Sequence, residues 1–287
     1  MNKPVNALLL VSSVLFAPQV LATTASLTEW GTQANVVSGA CLGNNCTPLE
    51  VLTNPEGITP EVTSDGFNQL SATTGSVSIP QGTAQSSAEI TGGLATPVLK
   101  AKASSTTNSW IGAGAFAIQG YEYTGSVSDT ISFNINFDGS ITNPDGDTAT
   151  GFGVGMYLFS SSELDSLAGL SFDPYLVLEN LSFNSFFNLV ETQVYELDVT
   201  QAGAVSETGQ VSIDLSNGDL FYLAGGVLAS AGGEGAIADA FSTLTVEVDP
   251  EFEGVLVAAS SSVVPLPAAF WLFISAFFGL FATQKRR

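Results

Sequence analysis

The most constraining feature of this chain is a strict alternation between positions 131 and 137. Ile131, Phe133, Ile135 and Phe137 are separated by Ser132, Asn134 and Asn136. In an extended strand, successive side chains point to opposite faces, so this period of two gathers four large apolar groups on one face and three polar groups on the other. A helix would scatter them around its circumference. The pattern recurs at Phe152, Val154, Met156 and Leu158, after a connection rich in Gly, Asn, Pro and Asp. Together the two runs predict a long hairpin with one buried face.

Weaker signals of the same kind fill the middle of the chain. Leu27 to Ser38 predicts an opening strand. Thr47 to Gly66 carries Pro48, Pro55, Gly57, Pro60 and Gly66 and reads as an irregular connection. Short strands are predicted at Val77–Pro80 and Ala84–Ile90, and a longer one at Leu94–Ser104. Trp110 to Tyr123 is apolar and rich in small residues, and fits a buried strand or a helix. Ser162 to Gly169 has the makings of a helical turn, with Ser162 as N-cap and Asp165 three residues on. Further strands are predicted at Tyr175–Leu181 and Leu189–Thr200. Val211, Ile213 and Leu215 alternate with Ser212 and Asp214, and Asn217-Gly218 then signals a hairpin, because type I′ turns need positive φ at both central residues. Gly225 to Ala240 is Gly- and Ala-rich and shows no clear period. Leu244, Val246 and Val248 alternate again, and Val255 to Ala259 closes the series. Around ten strands, mostly with one wet face, predict an all-β fold: an antiparallel β-sandwich, jelly-roll-like.

The two ends of the chain differ from this middle. Met1 to Ala22 reads as a secretory signal peptide: Lys3 supplies the positive start, Val5 to Ala17 a short apolar stretch, and Ala22 the small residue at the cleavage side. At the other end, Val264-Pro265-Leu266-Pro267-Ala268 precedes a run to Thr283 with no charge, followed by Lys285, Arg286 and Arg287. Pro267 suits the first position of a helix. From there to Thr283 a helix would be about 25 Å long, short for a membrane span but long enough. The basic cluster would hold its end on the cytoplasmic side. The expected organisation is therefore a signal peptide at 1–22, a β-sandwich ectodomain at 23–262, and a tail at 263–287 with one C-terminal transmembrane helix.

This tail resembles the VPLPA class of PEP-CTERM sorting signals, which join a short Pro-containing motif, one membrane helix and a basic end. Trp271-Leu272-Phe273 adds to the likeness. The resemblance covers about 25 of the 287 residues. It implies an exosortase, a membrane-embedded cysteine transpeptidase, as processing partner, and a Gram-negative bacterium that makes extracellular polysaccharide as the setting. The sorting motif would be Val264, Pro265, Leu266, Pro267 and Ala268. The protein would be transiently membrane-anchored, then released to the cell surface or matrix. An uncleaved membrane anchor is the alternative.

Composition narrows the chemistry. The chain has 27 acidic residues, and within 23–262 only Lys100 and Lys102 oppose them. Such a surface repels nucleic acid and anionic lipid. Histidine is absent, which removes Ser-His-Asp and Cys-His catalysis and imidazole metal sites. Gly233-x-Gly235-x-x-Ala238 matches a dinucleotide fingerprint on paper but lacks the βαβ setting that gives it meaning. Cys41 and Cys46 are the only cysteines, and in an oxidising compartment they are expected to form a disulfide. The polar loop from Asp138 to Asp147 offers Asp138, Asn143, Asp145 and Asp147 as oxygen ligands for calcium. The same residues are turn formers, and a plain hairpin turn, the preferred reading, explains them without a metal. No catalytic residue is nominated. A non-enzymatic exported protein associated with exopolysaccharide is the preferred reading, with a carbohydrate-active hydrolase on the same sandwich as the alternative.

Overall fold

The computed structural model describes residues 31–39, 47–48, 51, 58–67, 69–160 and 193–258. All of them belong to the unit Thr24–Ser262. The signal peptide, the Cys41–Cys46 pair, the strand expected at Tyr175–Leu181, the turn at Ser162–Gly169 and the sorting tail lie outside these residues.

In chain order the strands are β1 (Gly31–Gly39), β2 (Ile58–Phe67), β3 (Ser71–Thr73), β4 (Val77–Ile79), β5 (Gly82–Thr91), β6 (Thr96–Ser105), β7 (Trp110–Tyr123), β8 (Asp129–Thr142), β9 (Gly151–Ser160), β10 (Gln193–Val199), β11 (Gly203–Leu215), β12 (Leu220–Ala231), β13 (Ile237–Val248) and β14 (Leu256–Ala258). They form two sheets in which every pairing is antiparallel. The first runs β10-β9-β12-β7-β1-β2, with β14 added on β7. The second runs β11-β8-β13-β6-β5-β3, with β4 added on β5. The chain is all-β as expected, and the two sheets sandwich one apolar core.

The alternating rows make that core. Ile131, Phe133, Ile135 and Phe137 of β8 are fully buried, as are Phe152, Val154 and Met156 of β9. The two runs are not a hairpin, however. β8 pairs with β11 and β13 in the second sheet, while β9 pairs with β10 and β12 in the first. Their apolar rows face each other across the core, and Phe137 meets Phe152 edge to face with centroids 5.2 Å apart. Period two identifies the wet and dry faces of a strand and is silent about its neighbours. The connection between β8 and β9 is long enough to cross the roughly 10 Å between packed sheets. The same correction applies at Asn217-Gly218. Gly218 has positive φ (86°) but Asn217 does not, so the turn is not the type I′ expected, and Asp219 N–H closes it on Ser216 O at 2.9 Å. Yet β11 and β12 part there into different sheets. Gly218 N–H bonds Tyr123 O, and Asn217 Nδ2 donates to Gly125 O, so the turn is tied to the end of β7.

Two further expectations change. Part of the connection expected at Thr47–Gly66 is a strand, β2. It is an edge strand, where proline is tolerated because one side of its backbone needs no partner. The register slips between Val36 and Val37, opposite Val62 and Pro60, so the proline sits at an irregularity. The open choice at Trp110–Tyr123 resolves as strand. β7 is central to the first sheet and buried along almost its whole length. Gly225 to Ala240, without period in the sequence, supplies the end of β12, a turn, and the start of β13.

At the middle of the core, Tyr121 and Phe221 stack at 5.2 Å, and Phe133 lies 5.9 Å from each. Phe133→Ala should lower the unfolding free energy by about 3–5 kcal/mol, the usual cost of an aromatic cavity. Ser132→Ala, on the wet face of the same strand, should change it by less than about 1 kcal/mol. Urea denaturation of both variants checks the inward and outward assignment. Burial also holds the Tyr121 hydroxyl neutral far above the ordinary tyrosine range, where it donates to Ala95 O at 3.2 Å. In the unfolded chain this group ionises near pH ~10. Its contribution to stability is therefore complete below that pH and is lost as pH rises above it. Tyr121→Phe should flatten the alkaline fall in melting temperature, measured between pH 8 and roughly 11.5.

Candidate functional site

The proposed calcium ligands do not share one place. Asp138 lies inside β8, opposite Ser206 of β11 and Thr243 of β13. Asn143 is five residues further along, about 16 Å away at strand rise. Asn143, Asp145 and Asp147 do come together, in the turn that follows β8. Asn143 Nδ2 donates to Asp147 O at 2.7 Å, and Asp147 N–H returns a bond to Asn143 Oδ1 at 3.1 Å. Asp147 Oδ1 accepts from Ala149 N–H. These oxygens hold the turn itself, as Asn and Asp commonly do.

The turn packs on the one between β12 and β13. Thr150 Oγ1 donates to Gly232 O at 2.9 Å and accepts from Gly232 N–H at 3.0 Å, and Ser230 Oγ donates to Ala149 O. A methyl group at Gly232 would stand 3.0 Å from Asp147 Oδ2. Gly233 and Gly235 have φ of 89° and 80°, and Ala238 is buried in β13. The glycines of the apparent dinucleotide fingerprint therefore serve a strand-to-strand turn. Asp145 and the second oxygen of Asp147 are what this corner offers a cation, against the six to eight oxygens calcium takes. Among the described residues, no three His, Cys, Asp or Glu side chains group as a metal site.

Several carboxylates elsewhere serve local structure. Asp219 Oδ2 accepts from Ser216 N–H, Asp249 Oδ1 caps the short 3₁₀ turn Pro250–Phe252, and Asp239 pairs with Lys102 at 2.6 Å. Lys102 and Asp239 are each about a third exposed, so the pair is worth at most about 1 kcal/mol. Tyr157 donates to Glu196 Oε1 at 3.1 Å across β9 and β10. Burial first, and then the charge of Glu196, push the Tyr157 hydroxyl up well beyond the tyrosine range.

The outer face of the first sheet is the feature that sequence patterns missed. Three aromatic rings there lie flat on glycines two positions away on their own strands. A methyl at Gly112 would fall 2.7 Å from the Trp110 ring, at Gly114 2.9 Å from Phe116, and at Gly155 2.5 Å from the Tyr157 hydroxyl. Trp110 and Phe116 cluster with Val37, Val51 and Leu228. The available signal was Gly at alternate positions next to an aromatic, as in Gly112-x-Gly114-x-Phe116 and Gly153-x-Gly155-x-Tyr157.

No helix among the described residues is long and apolar enough to cross a membrane; the helix expected in the tail lies outside them. No protein-family model matches this chain, and no curated protein matches it.

Asn143→Ala removes both bonds across the turn, and should lower stability by about 1–2 kcal/mol. Asp145→Ala should leave it within about 0.5 kcal/mol, since Asp145 is exposed. Thermal melts with and without millimolar calcium check this. A calcium-dependent rise abolished by Asp145→Ala would instead make the turn a cation site.

Proposed function

We propose that the chain is an exported, non-enzymatic surface or extracellular-matrix protein of a Gram-negative bacterium, sorted by an exosortase and associated with exopolysaccharide. One observation carries this reading: the order of Val264-Pro265-Leu266-Pro267-Ala268, the uncharged run to Thr283, and Lys285-Arg286-Arg287. Each part has a physical task. Pro265 and Pro267 keep the backbone extended and delay its entry into helix, which leaves a strand that a transpeptidase can bind and cut. The apolar run forms one membrane helix that holds the motif at the bilayer surface. The basic end resists being drawn through. Ala22 ends the signal peptide that starts export, and the Cys41–Cys46 disulfide forms on the far side of the membrane.

The ectodomain is a jelly roll in this reading. The strand orders β6-β13-β8-β11 and β7-β12-β9-β10 support it, since the chain alternates between sheets as it passes from β6 to β9. An acidic, histidine-free domain of this kind suits a structural or binding role.

The mature protein should lack the helix and end near Pro267. Mass spectrometry of C-terminal peptides from the surface and medium fractions tests this. Replacing Pro265 and Pro267 by Ala should trap a full-length, membrane-bound form. Finding Lys285–Arg287 intact on the surface-exposed pool would reduce the tail to a plain anchor. Incubation with the producer's own polysaccharide separates the roles of the ectodomain: retention without shortening fits a binder, and shorter products would turn the reading to a hydrolase.

A further inference from the structure

Asn217-Gly218 is the only Asn-Gly pair in the chain, and both residues are exposed. In such a pair the backbone nitrogen of the glycine can attack the side-chain amide carbon of the asparagine, because glycine has no Cβ to block the approach. A bond forms from Gly218 N to Asn217 Cγ, the bond from Cγ to Nδ2 breaks, and ammonia leaves with the proton of the glycine amide. Water then opens the five-membered imide at either carbonyl and gives aspartate or isoaspartate. Water is the only co-reactant.

The fold holds the reacting atoms apart. Gly218 N–H donates to Tyr123 O at 2.8 Å, so the attacking nitrogen is engaged. Asn217 Nδ2, the leaving group, donates to Gly125 O at 2.9 Å. Positive φ at Gly218 but not at Asn217, with Asp219 N–H on Ser216 O, is the geometry of a type II turn, which sets ψ of Asn217 at about +120°. Ring closure needs ψ of the opposite sign, with Gly218 N turned over Asn217 Cγ. Asp219 holds the turn twice: its carboxylate accepts from Ser216 N–H at 2.7 Å, and its carbonyl from Tyr123 N–H at 2.9 Å. Ser216 Oγ also meets Ser128 Oγ at 2.9 Å. These bonds join the crossover between the sheets to the end of β7 and the loop beyond it.

We propose that Asn217 is a self-modifying site gated by this corner. While the corner is closed, the amide persists. Each opening that frees Gly218 N–H and lets the Asn217 backbone turn permits ring closure, so the rate follows the open population. The product does not restore the closed corner. Either acid puts a carboxylate, which only accepts hydrogen bonds, where Nδ2 donated to Gly125 O. Isoaspartate also adds one atom to the main chain of the turn. A transient opening is thereby turned into a permanent one.

The test holds the full chain, in mild detergent and mildly alkaline buffer, with and without guanidinium chloride. Mass spectrometry of the peptide spanning Asn217 reads the change from amide to acid over time. The folded chain should react at least about tenfold more slowly than the unfolded one. Asp219→Ala loosens the turn without touching the reacting atoms. It should raise the folded rate at least about threefold and leave the rate in guanidinium chloride unchanged. Asn217→Asp should melt roughly 2–4 °C below the wild type, and this measurement keeps the proposal open to refutation if Asp219→Ala folds poorly. Equal rates in the folded and unfolded chain, no reaction at Asn217 in either, a folded rate that Asp219→Ala leaves unchanged, or an Asn217→Asp variant that melts with the wild type overturns the proposal.

Discussion

The packing of two inward rows against each other, one from each sheet, underlies everything else in this sandwich. Phe133 and Phe137 from β8 meet Tyr121, Phe221 and Phe152 from the first sheet, and the rings sit at separations typical of attractive aromatic pairs. Because the contact is between sheets, it fixes their spacing and holds strands that share no hydrogen bond. Burying one such side chain stabilises by about 1.5–3 kcal/mol. The polar connections can then be ordered mainly by their own side chains.

The legible part of the fold was the part governed by side-chain alternation. Ile131 to Phe137, Phe152 to Leu158 and Leu244 to Val248 all lie in strands, with their apolar members buried except for the half-buried Val248. Pairing was not legible, and the reason is physical. A strand's hydrogen-bonding groups are the same whatever its sequence, so the partner is chosen by long-range packing and by connection length. Asn217-Gly218 shows the limit well: Gly218 has the expected positive φ, Asn217 does not, and the strands on either side diverge. β2 was obscured by its prolines, which an edge strand tolerates. In the candidate site, the turn chemistry of Asn143 and Asp147 was readable. The position of Asp138 was not, because β8 runs on through the Gly139-Ser140 pair that looked like loop.

Acidic residues are numerous, yet those with visible partners work locally. They close turns at Ser216–Asp219 and Asn143–Ala149, cap the Pro250 turn, and bond across strands from Asp214 to Thr130 and from Glu61 to Ser38. Carboxylates suit these tasks because each oxygen can accept from an exposed N–H or O–H while staying hydrated. The strong negative charge and the orderly turns thus come from the same residues.

β14 has a mechanical consequence. It is the last described strand, and it lies on β7 through only three residue pairs, Leu256 with Tyr123, Val257 with Glu122 and Ala258 with Tyr121. Leu256 and Ala258 are buried. Among the described pairings of β7 this is the shortest, so β14 brings the fewest backbone bonds to resist a pull along the chain from its far end.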